Sequence, residues 1–220
     1  MAQATYDEIA DWYAEYVGGE AGPFGERVNG LLETLLGNGT GVCVDIGCGT
    51  GARAKTIQRL GWRLVGVDVS TRQLKHANHL KVTGDATRLP IKDAIADAVT
   101  CILCHTDVPD YRAVIKEASR IGKGVFVHIG VHPAFTGAFA DRTDPARVVV
   151  DATYHRRERR WDSFTPKGVR AKVGAWHTPL DELLNAFVDA GWAIAKVHES
   201  SDEGALPDLL GVKAYKAWTS

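Results

Sequence analysis

The segment Val44-Asp45-Ile46-Gly47-Cys48-Gly49-Thr50-Gly51 joins a short apolar run to a stretch with helical periodicity. Three alternate glycines let a backbone turn sharply and come close to a ligand. The helix that follows points its unsatisfied N–H groups at whatever occupies that loop. A junction of this kind constrains the chain towards a parallel α/β sheet. It also implies a nucleotide-like ligand beyond the carboxyl ends of the strands, where strand order reverses.

The rest of the chain agrees with that constraint. From Val42 onward, apolar runs alternate with longer amphipathic stretches, the pattern of βαβ units. Strands are expected over 42–46, 63–67, 80–82, 97–103 and 124–130, with helices near 51–60, 70–79 and 109–120. Two amphipathic segments, 6–16 and 25–36, precede this core. After Gly130 the rhythm changes: 131–176 is rich in Arg and aromatics and has no clean period, so it reads as an inserted cover. The rhythm resumes with a helix over 179–190 and strands over 192–199 and 211–218, which a short loop at 202–207 would make antiparallel neighbours. At 220 residues the chain fits one α/β domain. Its expected parts are a helical cap (1–37), a cofactor-binding core (42–130), the cover (131–178) and a terminal helix with a strand pair (179–220).

Composition removes several function classes. With 26 Lys and Arg against 27 Asp and Glu, the chain has no global field for a polyanion, so nucleic acid is not an expected partner. No apolar run approaches the ~20 residues that span a bilayer. The acidic start, with Asp7, Glu8 and Asp11, does not read as a secretory signal, which leaves the cytoplasm as the expected location and no membrane partner. The cysteines, Cys43, Cys48, Cys101 and Cys104, lie in or beside apolar strand-like runs and read as buried thiols rather than metal ligands.

The glycine spacing does not choose the nucleotide by itself, since Gly47, Gly49 and Ala52 also satisfy a dinucleotide-binding pattern. Asp68, ending the second strand before Val69, suits two ribose hydroxyls in either case. Two further features bear on the choice. Asp45 stands inside a strand end, where its charge needs a compensating cation such as a ligand ammonium. The loop Gly84-Asp85-Ala86 offers a carboxylate to an adenine amino group. With these three motifs in order, the chain resembles the class I S-adenosylmethionine-dependent methyltransferases, in the small-molecule, type 11-like branch. The resemblance covers about residues 6–130. It implies a Rossmann-like doubly wound sheet of seven strands, mostly parallel with the last antiparallel, and S-adenosyl-L-methionine as cofactor. It also implies that Gly47, Cys48, Gly49 and Gly51 cradle the methionine part, that Asp68 holds the ribose, and that Asp85 faces the adenine. Cys104, His105 and Asp107 would border the transferable methyl group, and Tyr6 and Tyr13 would belong to an N-terminal helix closing over the cofactor.

The expected activity is methyl transfer to a small aromatic or heterocyclic metabolite. A catalytically silent cofactor-binding protein and an NAD-dependent oxidoreductase are the alternatives, and the latter lacks a Tyr-x-x-x-Lys pair. For a general base the sequence offers His132, just past the fifth strand, with His105 and Tyr154 as further catalytic candidates. The cover supplies Phe135, Phe139, Tyr154, His155, Trp161, Phe164, Trp176 and His177 as aromatic area for a planar substrate. The basic run Arg156, Arg157, Arg159 and Arg160 reads either as a solvated face balanced by Glu158 or as an anchor for an acidic substrate. His128 and His132 lack a third ligand, so no metal is expected.

Overall fold

The computed structural model describes residues 4–18, 22–144, 147–161, 168–203 and 205–217. The sheet has seven strands: β1 Val42–Ile46, β2 Arg63–Asp68, β3 Leu80–Thr83, β4 Ala96–Ile102, β5 Gly122–Val131, β6 Trp192–Ser200 and β7 Leu209–Lys216. Their spatial order is 3-2-1-4-5-7-6. β1 to β5 pair in parallel. β7 enters antiparallel between β5 and β6, as a short return from β6 requires. This is the doubly wound architecture expected from the glycine loop, with the last strand reversed. Trp218, at the expected end of the last strand, lies outside the described residues.

Period-2 burial explains why both faces are covered. On β4 and β5, Val99, Cys101 and Phe126 face one way into a cluster with Tyr111, Val114, Ile115 and Ala118 of α5 (Tyr111–Ile121) and Leu183, Ala186 and Phe187 of α7 (Leu180–Asp189). Ala98, Ile102, Val125, Val127 and Ile129 face the other way, against Val28, Leu31, Leu32 and Leu35 of α2 (Pro23–Leu36) and Ile57 of α3 (Ala54–Arg59). Central strands buried on two sides must be apolar throughout, which is why these runs carry so few polar residues.

Two helices are shorter than their periodicity predicts. α3 begins only at Ala54 because the glycine loop occupies the preceding residues. The helix expected over 70–79 is a single turn, α4 Thr71–Leu74, with Ser70 Oγ accepting from the Gln73 amide as N-cap. The carbonyls of Leu74 and Ala77 accept from Lys81 Nζ of β3, so a side chain takes over bonds that a continuing helix would have supplied. N-terminal residues form a 3₁₀ turn, Asp7–Ile9, leading into α1 Ala10–Gly18. In the cover, Ala140–Asp141 pairs with Val149–Val150 and Arg159–Arg160 with Ala175–Trp176, and between the latter runs α6 Val169–Val173. Among the described residues no helix is long and apolar enough to cross a membrane.

Candidate functional site

Strand order turns back at β1, so the connections leaving β1 and β4 diverge to opposite faces and a crevice opens at their carboxyl ends. A cleft of about 1100 Å³ occupies that position. Its floor is the glycine loop. The amides of Gly47 and Cys48 donate to the Val67 carbonyl at 2.8 and 3.1 Å, pinning the loop across β2. Gly47 and Gly49 have φ of 71° and 52°. A Cβ at Gly47 would lie 2.6 Å from Cys104 Sγ and one at Gly49 would push aside the Gln73 side chain, so the positive φ at both positions and the packing at Gly47 favour glycine.

Asp68 joins the loop to the second strand. Its Oδ2 accepts from the Gly49 amide and its Oδ1 from the Ser70 amide, each at 2.8 Å. Burial pushes its pKa up, and these amide bonds pull it back towards the ionised form. A carboxylate has about four acceptor positions, so the pinned group keeps capacity for two hydroxyls on the cleft side. Asp68→Ala is expected to weaken binding of S-adenosylhomocysteine by about tenfold to a hundredfold, the range for hydrogen bonds to a charged group, as read by calorimetry. Unchanged affinity would assign the hydroxyl contacts elsewhere. Beyond Asp68, the wall continues through Val69, Gly84, Asp85, Ala86 and Thr87. Asp85 Oδ1 accepts from the Thr87 amide and hydroxyl at 2.8 and 2.7 Å, an Asx turn that fixes the carboxylate at the rim.

Two charges in the cleft make no direct ion pair among the described residues, Asp45 and Arg53 acting on each other only at longer range. Asp45 of β1 is only 3% exposed, and Thr100 Oγ1, its neighbour across the β1–β4 ladder, donates to Oδ1 at 2.7 Å. Burial pushes its pKa up to about 7. Arg53, the N-cap residue of α3, donates from Nη1 to the Gly25 carbonyl and Asn29 Oδ1 at 3.0 and 2.8 Å. The sequence reading missed Arg53. Its signal is a cation at a helix N-terminus, where the macrodipole disfavours it. A buried carboxylate and a guanidinium flanking the glycine loop, neither in a direct ion pair, suit a ligand carrying both an ammonium and a carboxylate. Together with Asp68 and Asp85, the donor set fits S-adenosylmethionine.

At the end of β4, Leu103 adopts φ 56°, a conformation that costs a non-glycine residue about 1–3 kcal/mol. Its amide donates to the Ile129 carbonyl at 2.7 Å, and the kink sends Cys104, His105, Thr106 and Asp107 into the cleft. His105 is buried, and burial pushes its pKa down to about 3, so the ring is neutral. Its Nδ1 has no partner among the described residues, and the ring sits 5.3 Å from His128, whose own Nδ1 meets Tyr111 Oη at 2.7 Å. Asp107 accepts from Tyr6 Oη at 3.0 Å, and burial raises its pKa to about 7. Tyr6 packs edge-on to Tyr13 with centroids 5.1 Å apart, and both tyrosines face the cleft. Asp7, held by the Ser70 hydroxyl at 2.6 Å, ties the N-terminal segment to α4.

The structure does not bring the other catalytic candidates to this cleft. His132 is 1% exposed and absent from the lining. Its Nδ1 accepts from the Ala134 and Phe135 amides, and its Nε2 meets Glu199 at 2.9 Å. Because both nitrogens are engaged, it has none to offer a substrate in this structure. Tyr154 also lies outside the lining, with its hydroxyl accepting from the Leu180 amide at 2.8 Å at the start of α7. Of the cover aromatics, Trp176 lines the cleft, while Phe139, Tyr154 and His177 pack on one another and Trp161 is exposed. Phe164 lies outside the described residues. All four cysteines are free and buried, and among the described residues no group of three or more metal-ligating side chains is present.

Fold and cleft together define a Rossmann-like methyltransferase architecture. The family model for the methyltransferase domain of type 11 matches residues 44–125. The demethylmenaquinone methyltransferase of Tropheryma whipplei is 33% identical over 87 residues, covering 36% of each chain. The matched stretch thus spans about a third of that relative's length. A ubiquinone biosynthesis O-methyltransferase of Pseudoalteromonas translucida is 26% identical over 84% of this chain and 89% of its own. The crystal structure of an S-adenosylmethionine-dependent methyltransferase from Mesorhizobium loti superposes with a TM-score of 0.69 at 23% identity, over 84% of this chain and 95% of that one. Residues 44–125 thus match the type 11 methyltransferase domain, and the fold is the Rossmann-like one of S-adenosylmethionine-dependent methyltransferases.

Proposed function

We propose that this chain binds S-adenosylmethionine and transfers its methyl group to a nucleophilic oxygen, nitrogen or carbon of a small aromatic or heterocyclic molecule. One observation carries the reading: a single cleft is lined by the glycine loop, Asp68, the Asp85 loop, the Cys104 to Asp107 turn and the aromatic rings of Tyr6, Tyr13 and Trp176. Relatives named for quinone methylation support an aromatic acceptor.

When bound, S-adenosylmethionine supplies a methyl group on a cationic sulfur. The remaining work falls to the chain. Asp45, Arg53 and Asp68 anchor the two ends of the cofactor's polar skeleton. The Cys104 to Asp107 turn and Trp176 border the space left for an acceptor, and enclosure by Tyr6 and Tyr13 excludes water, so alignment supplies much of the rate. An O–H or N–H acceptor that received this methyl group would have a proton to shed. Asp107 is the cleft-lining group placed to take it, with the Tyr6 hydroxyl holding its other side. Neutral His105 orients the acceptor by hydrogen bonding.

S-adenosylhomocysteine is expected to raise the unfolding temperature in a concentration-dependent manner, whereas NAD should not, because only a ligand that binds the native state stabilises it. A shift with NAD alone would overturn the reading.

A further inference from the structure

The basic run in the cover divides its side chains in an unexpected way. Arg157 pairs with Glu182, and Arg160 with Asp151 and Glu158 at 3.9 and 3.7 Å, as a solvated face would. Arg159 instead lines the cleft. Its strand pairs with Trp176, whose amide donates to the Thr106 carbonyl at 2.7 Å, so the ribbon is hooked onto the turn that carries His105 and Asp107.

The guanidinium is held firmly there. Nη2 donates to the Val173 carbonyl, Nε is buried without a partner, and the planar head lies 5.2 Å from the Trp161 ring. Gly174, at φ 68°, lets the backbone approach so closely that a Cβ would stand 2.9 Å from Arg159 Nε. Among the described residues no carboxylate lies within ion-pair distance of Arg159, although one lies close by in the turn. That acid is Asp107, already engaged by Tyr6 and placed to take the acceptor's proton. A cationic head partly withdrawn from water with no ion pair of its own is favoured when an anion meets it.

Resting on the methyltransferase reading above, we infer that Arg159 receives a carboxylate on the methyl acceptor, so that the substrate class is an aromatic or heterocyclic acid rather than a neutral ring compound. A single guanidinium with one bond already committed matches a singly charged carboxylate. A phosphate monoester, with up to two charges, would call for a second cation. Arg53 does not serve as that cation, since it belongs to the glycine-loop end of the cleft and is held by α2.

The test is calorimetry on the full chain, with and without saturating S-adenosylhomocysteine. Its probes are matched acids and primary amides, benzoate against benzamide and indole carboxylate against its amide, with phenyl phosphate as a third arm. The acid should bind at least about tenfold tighter than its amide, the scale of a charge-assisted hydrogen bond. Arg159→Gln should erase that preference and Arg159→Lys keep part of it, while the affinity of Arg159→Gln for S-adenosylhomocysteine stays within about twofold, which shows the fold intact. Equal binding of acid and amide overturns the inference. So does a preference that survives in Arg159→Gln, or phenyl phosphate outcompeting both acids. Failure of S-adenosylhomocysteine to bind would sink the methyltransferase reading alone, because the arm without it still reports on Arg159.

Discussion

Replacing Asp107 by Asn is expected to lower methyl-transfer turnover by about a hundredfold or more, the usual contribution of a positioned general base, while affinity for S-adenosylhomocysteine changes by only a few fold. Asn keeps an oxygen to accept from Tyr6, so the closure of the N-terminal segment survives and only the proton acceptor is lost. The pH dependence follows from the environment. Burial raises the Asp107 pKa to about 7, with the nearby charge of Asp68 adding to the effect and the Tyr6 bond and Arg159 opposing it. A base works when deprotonated, so wild-type kcat should climb as pH rises through about 7 and then level off, and the Asn variant should lose that step. His105, held neutral by burial far below its ordinary range, contributes no such inflection. An intact kcat in the variant across about pH 6 to 9 would mean that transfer proceeds by alignment alone, with the proton lost to solvent afterwards.

What could be read from the sequence divides along a physical line. Motifs that work through backbone geometry were legible: the glycine loop must contain glycines because Gly47 and Gly49 adopt positive φ, and Asp68 must follow a strand to reach the Gly49 amide. Strand runs were legible because two-sided burial makes them mostly apolar, with Asp45, Thr100 and His128 as the hydrogen-bonded exceptions. The cover was not, because its elements are two-residue ribbons and one short helix whose positions depend on distant partners. Trp176 reaches the cleft because its amide meets Thr106, a contact between residues 70 positions apart with no periodic signal. His132 illustrates the converse. Its place after β5 suits a base, yet Glu199 on β6 and the turn at Ala134 and Phe135 take both ring nitrogens. A histidine's position in the chain fixes neither its rotamer nor its partners.

The Asp45 carboxylate should make the free protein less stable than it could be, and Asp45→Asn is expected to raise the unfolding temperature at about pH 8 while weakening cofactor binding. The carboxyl titrates near 3.8 when solvated and near 7 in the fold, where burial dominates over the stabilising Thr100 bond. Between those values the native state holds a proton that the unfolded chain has released. The group's contribution to stability is therefore fully present below about pH 4, declines as pH rises towards 7, and is flat above. At about pH 8 the ionised group should destabilise the fold by about 4 kcal/mol, from the size of the shift at about 1.4 kcal/mol per pKa unit. Asn has no proton to lose and can still accept from Thr100, so its stability should not fall over that window on this account. The same charge that burdens the free protein would be neutralised by a ligand ammonium, so the variant should bind S-adenosylhomocysteine about tenfold to a hundredfold more weakly. Thermal scans from about pH 5 to 8 with and without the ligand separate these effects. A variant destabilised at every pH with unchanged affinity would make Asp45 a structural partner of Thr100 and remove it from the cofactor site.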